Sequence, residues 1–530
     1  MKRVVRVVAG MAVLIAGVAI SGGGAPAIAA RQAPVAWGAC PAVAGKPVNA
    51  SIECATVRVP LDYSEPMGQS IKVAINRIKA KVSRDANHLG TLLINPGGPG
   101  ASGRSMTAYV AATLPAKVSE RYDIVGFDPR GVGGSEPSLH CVDPEVYYKA
   151  PRPDAVPRTL SEERALLGRA SDYATRCGNF WSWLLPHLTT ENSARDMDTI
   201  RAALGEEKIS YLGYSYGTYL GAVYATLFPH RVKRLVMDSI VDPTGVWYKA
   251  NLAQDEAFER RHREFLAWTA KHHSTYKLGA TPTQTSFAYY AMRTRLRERP
   301  AGGVVGPSEL DDTFTLAGYS DRMWPRFAQA WSSYVRQGDV KGLVDIYTKH
   351  GKSDSTKENG YAVYLGVQCR DATWPRQWET WRTDMTAMHR QAPFMTWPNA
   401  WFNAPCAFWP VPGGKPVQVQ GSSQLPPILM LQTRGDAATP YTGALRMRTL
   451  FPSARMVVDK GGNHGASLAG NQCVDRHLAA YLRDGSVPPR DAVCDPLPQP
   501  HAAAAARMAA QAPAQHHELL GVLTGLLGAR

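Results

Sequence analysis

The chain has 530 residues, with 59 Lys and Arg against 44 Asp and Glu and a formal charge of +15. At 45% hydrophobic and 19% charged residues it has globular composition, which excludes a disordered or collagen-like chain. The basic residues are scattered, without a block of roughly five or more like charges or a nucleic-acid-binding motif, so the charge does not point to nucleic acid.

At the N-terminus, Lys2, Arg3 and Arg6 precede the apolar run Val7 to Ile20, and Ala27-Ile28-Ala29 fits the small-residue pattern cut by a signal peptidase. This predicts a signal peptide over residues 1–30 and a secreted, extracellular protein. No later charge-free apolar run reaches the roughly 18 residues of a membrane span, so no membrane partner is expected after cleavage. The eight cysteines include no C-x-x-C pair, which argues against zinc and redox sites. They fall into the neighbouring couples Cys40/Cys54, Cys141/Cys177, Cys369/Cys406 and Cys473/Cys494. In an exported chain this spacing predicts four sequential disulfides.

From Ile71 onward short β-rich runs alternate with helical periodicity, the pattern of a mostly parallel α/β sheet. Strands are expected at Thr91–Asn95, Tyr122–Phe127, Lys208–Tyr214 and Arg234–Ile240, with a helix over Ala194–Leu204 closed by Gly205. The pattern changes over residues 243–424, which are helical and hold ten of the 13 tryptophans, Trp247 to Trp409. Most of these read as core, a few as pocket lining. Two further strands, Pro427–Gln432 and Arg455–Asp459, follow. The organisation expected is therefore a sheet core over 31–242 and 425–494, interrupted by a helical lid over 243–424. A Pro/Ala-rich, low-complexity tail occupies 495–530.

Gly213-Tyr214-Ser215-Tyr216-Gly217 is the only G-x-S-x-G in the chain. It stands between an expected strand and the helical run Thr218–Leu227, the strand–turn–helix setting of a nucleophile elbow. A serine hydroxyl is a poor nucleophile at neutral pH, so a histidine must take its proton and a carboxylate must orient that histidine. In such a sheet the chain order is Ser, Asp or Glu, then His. Asp436 after the strand Pro427–Gln432, and His464 in Gly461-Gly462-Asn463-His464-Gly465 after the next, fit that order. Asp238, at the end of the strand from Arg234, is the rival acid. His477, His272-His273 and His516-His517 lack such a setting and read as surface residues. An acyl intermediate also needs an oxyanion hole. Its donors are expected to be the N–H of Tyr216 and that of Gly98, in the loop Asn95-Pro96-Gly97-Gly98-Pro99-Gly100. That loop lacks the Lys-Ser/Thr of a P-loop. Asp128 to Gly133 reads as a rigid loop supporting the site.

On these stretches, together with Thr190–Leu227, Pro393–Pro410 and Arg434–Cys494, the chain resembles the α/β-hydrolase-fold serine aminopeptidases related to proline iminopeptidase. It most resembles the secreted tripeptidyl aminopeptidases of actinobacteria. The resemblance covers most of residues 35–495 and places the family's nucleophile, acid and base on Ser215, Asp436 and His464, with oxyanion donors Gly98 and Tyr216. Asp238-Ser239, where many relatives have Asp-Gly, and the tail after Cys494 depart from the family pattern. The resemblance implies an exopeptidase, expected to be monomeric, that releases tripeptides from peptides with a free N-terminus and requires no metal or organic cofactor. An acidic group about 10 Å from Ser215, three extended residues away, should then hold the substrate amine. Asp371 and Glu191 are the candidates. The alternatives are an esterase or lipase, or a mono- or dipeptidyl-releasing hydrolase, because the same triad serves esters and amides.

Overall fold

The computed structural model describes residues 34–42, 49–83 and 86–502. Residues 1–30, expected to be a signal peptide, and the tail beyond residue 502 lie outside them. Ten strands form one sheet in the order β1-β2-β3-β5-β4-β6-β7-β8-β9-β10. Its first edge is antiparallel: β1 (Gly38–Ala39), β2 (Ile52–Pro60) and β3 (Ser70–Ile78), with β3 also antiparallel to β5 (Asp123–Phe127). From β5 onward the sheet is parallel through β4 (Thr91–Asn95), β6 (Ile209–Tyr214), β7 (Val232–Asp238), β8 (Leu429–Thr433), β9 (Arg455–Asp459) and β10 (Ala492–Cys494).

The residue patterns explain both halves. Every residue of β4, β5, β6 and β8 is buried, as befits apolar runs covered by helices on both faces. In β2, Val57 and Val59 are buried while Arg58 between them is exposed, the alternation of a strand with one wet face. The pattern expected from Ile71 starts at β3, and the antiparallel strands β1 and β2 lie before it. The strand expected at Arg234–Ile240 instead ends at Asp238, because Ser239 has φ 58°, outside the extended region.

The chain leaves β4 for β5 on one side and returns to β6 on the other. The sheet thus reverses direction between the C-terminal ends of β4 and β6, the place where open α/β sheets form their crevice. Close packing is needed there: a Cβ on Gly213 would lie 2.4 Å from the Gly217 carbonyl oxygen, so only glycine lets the helix Tyr216–Leu227 fold back over β6.

Between β7 and β8 the chain runs through helices from Tyr248–Lys271 to Pro405–Phe408. Phe258, Phe265, Phe314, Trp324 and Trp331 form a hydrophobic cluster within this insertion. Tyr361, Trp374, Trp381 and Trp409 instead join the main core beside Leu93, Tyr211 and Val223. Residues 495–502 carry no helix or strand, yet Trp268 Nε1 donates to the Pro500 carbonyl at 3.1 Å, so this stretch runs against the insertion. Four disulfides join the neighbouring couples Cys40–Cys54, Cys141–Cys177, Cys369–Cys406 and Cys473–Cys494. Each closed loop of that size stabilises by about 3 kcal/mol. Among the described residues no helix is long and apolar enough to cross a membrane.

Candidate active site

Ser215 stands on the turn between β6 and the helix Tyr216–Leu227, with φ 55° and ψ −126°. This conformation is rare for a side-chain-bearing residue and marks a backbone held by its surroundings. The Ser215 N–H donates to the Asp238 carbonyl at 3.0 Å, and Thr218 donates back to the Ser215 carbonyl through both N–H and Oγ1. The hydroxyl is left half-buried at the C-terminal edge of the sheet.

His464 and Asp436 reach the same edge from the loops after β9 and β8. His464 Nδ1 lies 3.0 and 2.9 Å from the two Asp436 carboxylate oxygens, and both residues are buried. Asp436 also accepts from the N–H groups of Ala438 and Thr439 at 2.9 and 3.0 Å and from the Thr439 hydroxyl at 3.0 Å. With its carboxylate so fixed, Nδ1 carries the proton and Nε2 is the free base. Among the described residues Nε2 has no hydrogen-bond partner.

Asp238, the rival acid, faces elsewhere. It accepts from the N–H groups of Ala466 and Ser467 at 2.8 and 2.7 Å and from the Ser467 hydroxyl at 2.5 Å. Burial pushes its pKa up to about 6, opposed by those three hydrogen bonds. Its carboxylate holds the loop that carries His464 and leaves the imidazole to Asp436.

Gly98 and Tyr216 line one cleft with Ser215, and neither backbone N–H finds an acceptor among the described residues. Two free N–H groups beside a nucleophile are what a developing oxyanion requires. Their loops are braced. Asp128 accepts from the Ser102 hydroxyl at 2.5 Å and from the Gly134 N–H at 2.9 Å. Arg130 is fully buried and pairs with Asp196 at 2.6 Å. Gly100 has φ +101°, and a Cβ there would lie 2.1 Å from the Gly360 carbonyl oxygen in the insertion. Gly100→Ala is therefore expected to destabilise the fold by about 2 kcal/mol or more and to lower activity. A urea midpoint equal to that of the parent chain would contradict this packing.

The insertion holds the base, a contact that no motif in the sequence signals. The His464 N–H donates to the Tyr319 carbonyl at 2.8 Å, and the Tyr319 ring stands edge-on to the imidazole at 5.3 Å. Arg261 donates to Asn463 Oδ1 at 2.9 Å, and Asn463 donates to Asp321 at 3.0 Å. Ala437 and Ala438, directly after the acid, pack into the insertion's own hydrophobic cluster.

Neither carboxylate expected to hold a substrate amine lines the cleft. Asp371 is buried behind it and accepts from the Thr190 N–H at 2.8 Å and the Thr190 hydroxyl at 2.5 Å. Burial pushes its pKa up to about 6, against the pull of those two bonds. Thr190 Oγ1 in turn bonds the Tyr216 hydroxyl at 2.7 Å, so Asp371 braces the residue after Ser215. Glu191 pairs with Arg195 at 2.8 Å on a half-exposed helix face. The carboxylate that does line the cleft is Asp242, paired with Arg446. The insertion supplies Trp247, Asn251, Gln254, Tyr319, Gln368 and Phe402 to the walls of the cleft.

Residues 90–470 match the family model described as alpha/beta hydrolase fold. Over 487 residues the chain is 44% identical to the "Tripeptidyl aminopeptidase" of Streptomyces coelicolor, covering 90% of this chain and 89% of that one. It is 32% identical to "Serine protease Hip1" of Mycobacterium tuberculosis, over 83% of this chain and 87% of the relative. It is likewise 32% identical to "Carboxylesterase B" of the same species, over 89% and 92%. With its parallel sheet, its serine elbow after β6 and this similarity along nearly the whole chain, the protein belongs to the α/β-hydrolase fold family, in the group that includes the Streptomyces tripeptidyl aminopeptidase.

Proposed function

We propose that this chain is a secreted serine exopeptidase that releases tripeptides from peptides with a free N-terminus through an acyl-enzyme. The observation that supports the proposal is the hydrogen-bonded His464–Asp436 pair beside a cleft lined by Ser215, Gly98 and Tyr216, with Tyr319 both in the cleft wall and edge-on to the imidazole. The 44% identity to a tripeptidyl aminopeptidase supports the choice of substrate. In this reading Ser215 Oγ attacks the scissile carbonyl while His464 Nε2 takes its proton. Gly98 and Tyr216 donate to the oxyanion, and His464 then protonates the leaving amine as the peptide bond breaks. Water, deprotonated by the same nitrogen, releases the tripeptide from Ser215. Asp436 keeps the proton on Nδ1 and stabilises the imidazolium. Residues 243–424 act as a lid that closes the cleft about 10 Å from the nucleophile, the span of three extended residues. The basic and apolar N-terminal stretch and the four disulfides favour export.

A second reading, an ester hydrolase, is favoured by the 32% identity to the relative named carboxylesterase. One rate comparison separates them. Acetylating the amine of a tripeptidyl 4-nitroanilide removes a charge-assisted contact and adds bulk where the cleft ends. The expected loss in kcat/KM is about ten- to a hundredfold, with the free mono- and dipeptidyl anilides also much slower than the tripeptidyl one. Equal rates for acetylated and free substrates would remove the aminopeptidase reading and leave an esterase or endopeptidase.

A further inference from the structure

Two side-chain amides line the cleft without partners. Asn251, on the helix Tyr248–Lys271, is 8% exposed, and Gln368, on the helix Ser355–Asp371, is 4% exposed. Both share the cleft with Ser215 and Tyr216. Among the described residues, Asn251 Nδ2 and Gln368 Oε1 have no hydrogen-bond partner. Trp247 Nε1 in the cleft wall also lacks a partner among the described residues, whereas three neighbouring polar side chains are tied down. Gln254 Nε2 donates to the Ala438 carbonyl at 2.6 Å, and Asp242 accepts from the Thr244 N–H at 2.9 Å and pairs with Arg446. Thr439 is spent on Asp436.

A buried amide without a partner is unfavourable, and buried polar groups in folded proteins are nearly always satisfied. An amide presents both donors and an acceptor, the complement of a peptide group in an extended chain. A hydrocarbon acyl group offers neither, and would leave both amides unpaired by the substrate. A peptidyl acyl group would satisfy them whatever its side chains are.

We propose that Asn251 and Gln368 form a subsite that reads the backbone of the acyl half of the substrate, pairing with its internal peptide N–H and C=O groups and so admitting peptidyl in preference to hydrocarbon acyl groups. The proposal rests on the exopeptidase reading and adds to it the residues that select the substrate class. They are specificity residues, separate from the groups that make and break bonds.

The test uses the purified chain and two substrates, a free tripeptidyl 4-nitroanilide and 4-nitrophenyl acetate, whose acyl group is too short to carry a peptide group. In Gln368→Met and Asn251→Leu the ratio of kcat/KM for the tripeptide to that for the acetate should fall about tenfold or more, because a site built for hydrogen bonds discriminates strongly through them. Tm should hold or rise, since each variant replaces an unpaired buried amide with an apolar group of similar size. A merely structural role would lower Tm and move both rates together, and a ratio within about threefold of the parent value would overturn the subsite. If neither variant is recovered folded, the parent protein decides the matter with a tripeptidyl substrate whose inner amides are replaced by esters. A comparable loss supports the subsite, and an unchanged kcat/KM overturns it. A parent protein that turns over the acetate and no tripeptidyl anilide would remove the exopeptidase reading and the subsite with it.

Discussion

Ser215→Ala is expected to lower kcat by about 10⁴ or more while the chain stays folded. The expectation follows from position. Ser215 is held at φ 55° by hydrogen bonds from its N–H to Asp238 and to its carbonyl from Thr218, all backbone contacts at Ser215 that an alanine keeps. Only the hydroxyl is lost, and with it the acyl intermediate. A fluorophosphonate should label Ser215, located by peptide mapping. Ser102, the other serine near the glycine-rich loop, donates to Asp128 at 2.5 Å and has no imidazole among its hydrogen-bond partners. Labelling at Ser102, or at neither serine, would refute the assignment.

Asp436→Asn is expected to lower kcat by a similar factor, about 10⁴, because an asparagine facing Nδ1 permits the wrong tautomer and no longer stabilises the imidazolium. Asp238→Asn should cost less than about tenfold in kcat, since Asp238 hydrogen-bonds the loop at Ala466 and Ser467 and touches the imidazole only through its charge. Its signature is in stability. The folded-state pKa of Asp238 is about 6 against an ordinary 3.8, so the folded chain binds the extra proton between those values. Ionisation of Asp238 therefore lowers stability as pH rises from about 4 to 6, and Asp238→Asn should flatten that part of the Tm profile. Paired measurements of kcat and Tm across that range check both claims. A larger loss of kcat in Asp238→Asn than in Asp436→Asn would reverse the choice of acid.

The strands that carry these residues were legible because each is a short apolar run ending in a glycine- or proline-rich turn. β4 and β9 fall where the sequence places them, and β6 and β8 within two residues. The elbow at Ser215 was legible for the same local reason, as were the disulfide couples. The antiparallel strand β2 was not, because its alternation is diluted by the consecutive half-buried positions Glu53, Cys54 and Ala55. The candidate acids for the substrate amine do not line the cleft, since a carboxylate near the elbow in sequence can be bound by a nearer donor, as Asp371 is by Thr190.

The sequence by itself determined the α/β alternation, the Ser, Asp, His order and the turn geometry at Ser215. These depend on the preferences of a few consecutive residues and on where parallel strands must end. Only the tertiary structure decided that Asp436 and not Asp238 meets His464, that Tyr319 and Arg261 of the insertion hold the histidine loop, and that Asn251 and Gln368 face the cleft unpaired. Those outcomes depend on which groups far apart in the chain reach a common donor or acceptor first. Helical periodicity in the insertion reports which face is buried, but not which element buries it.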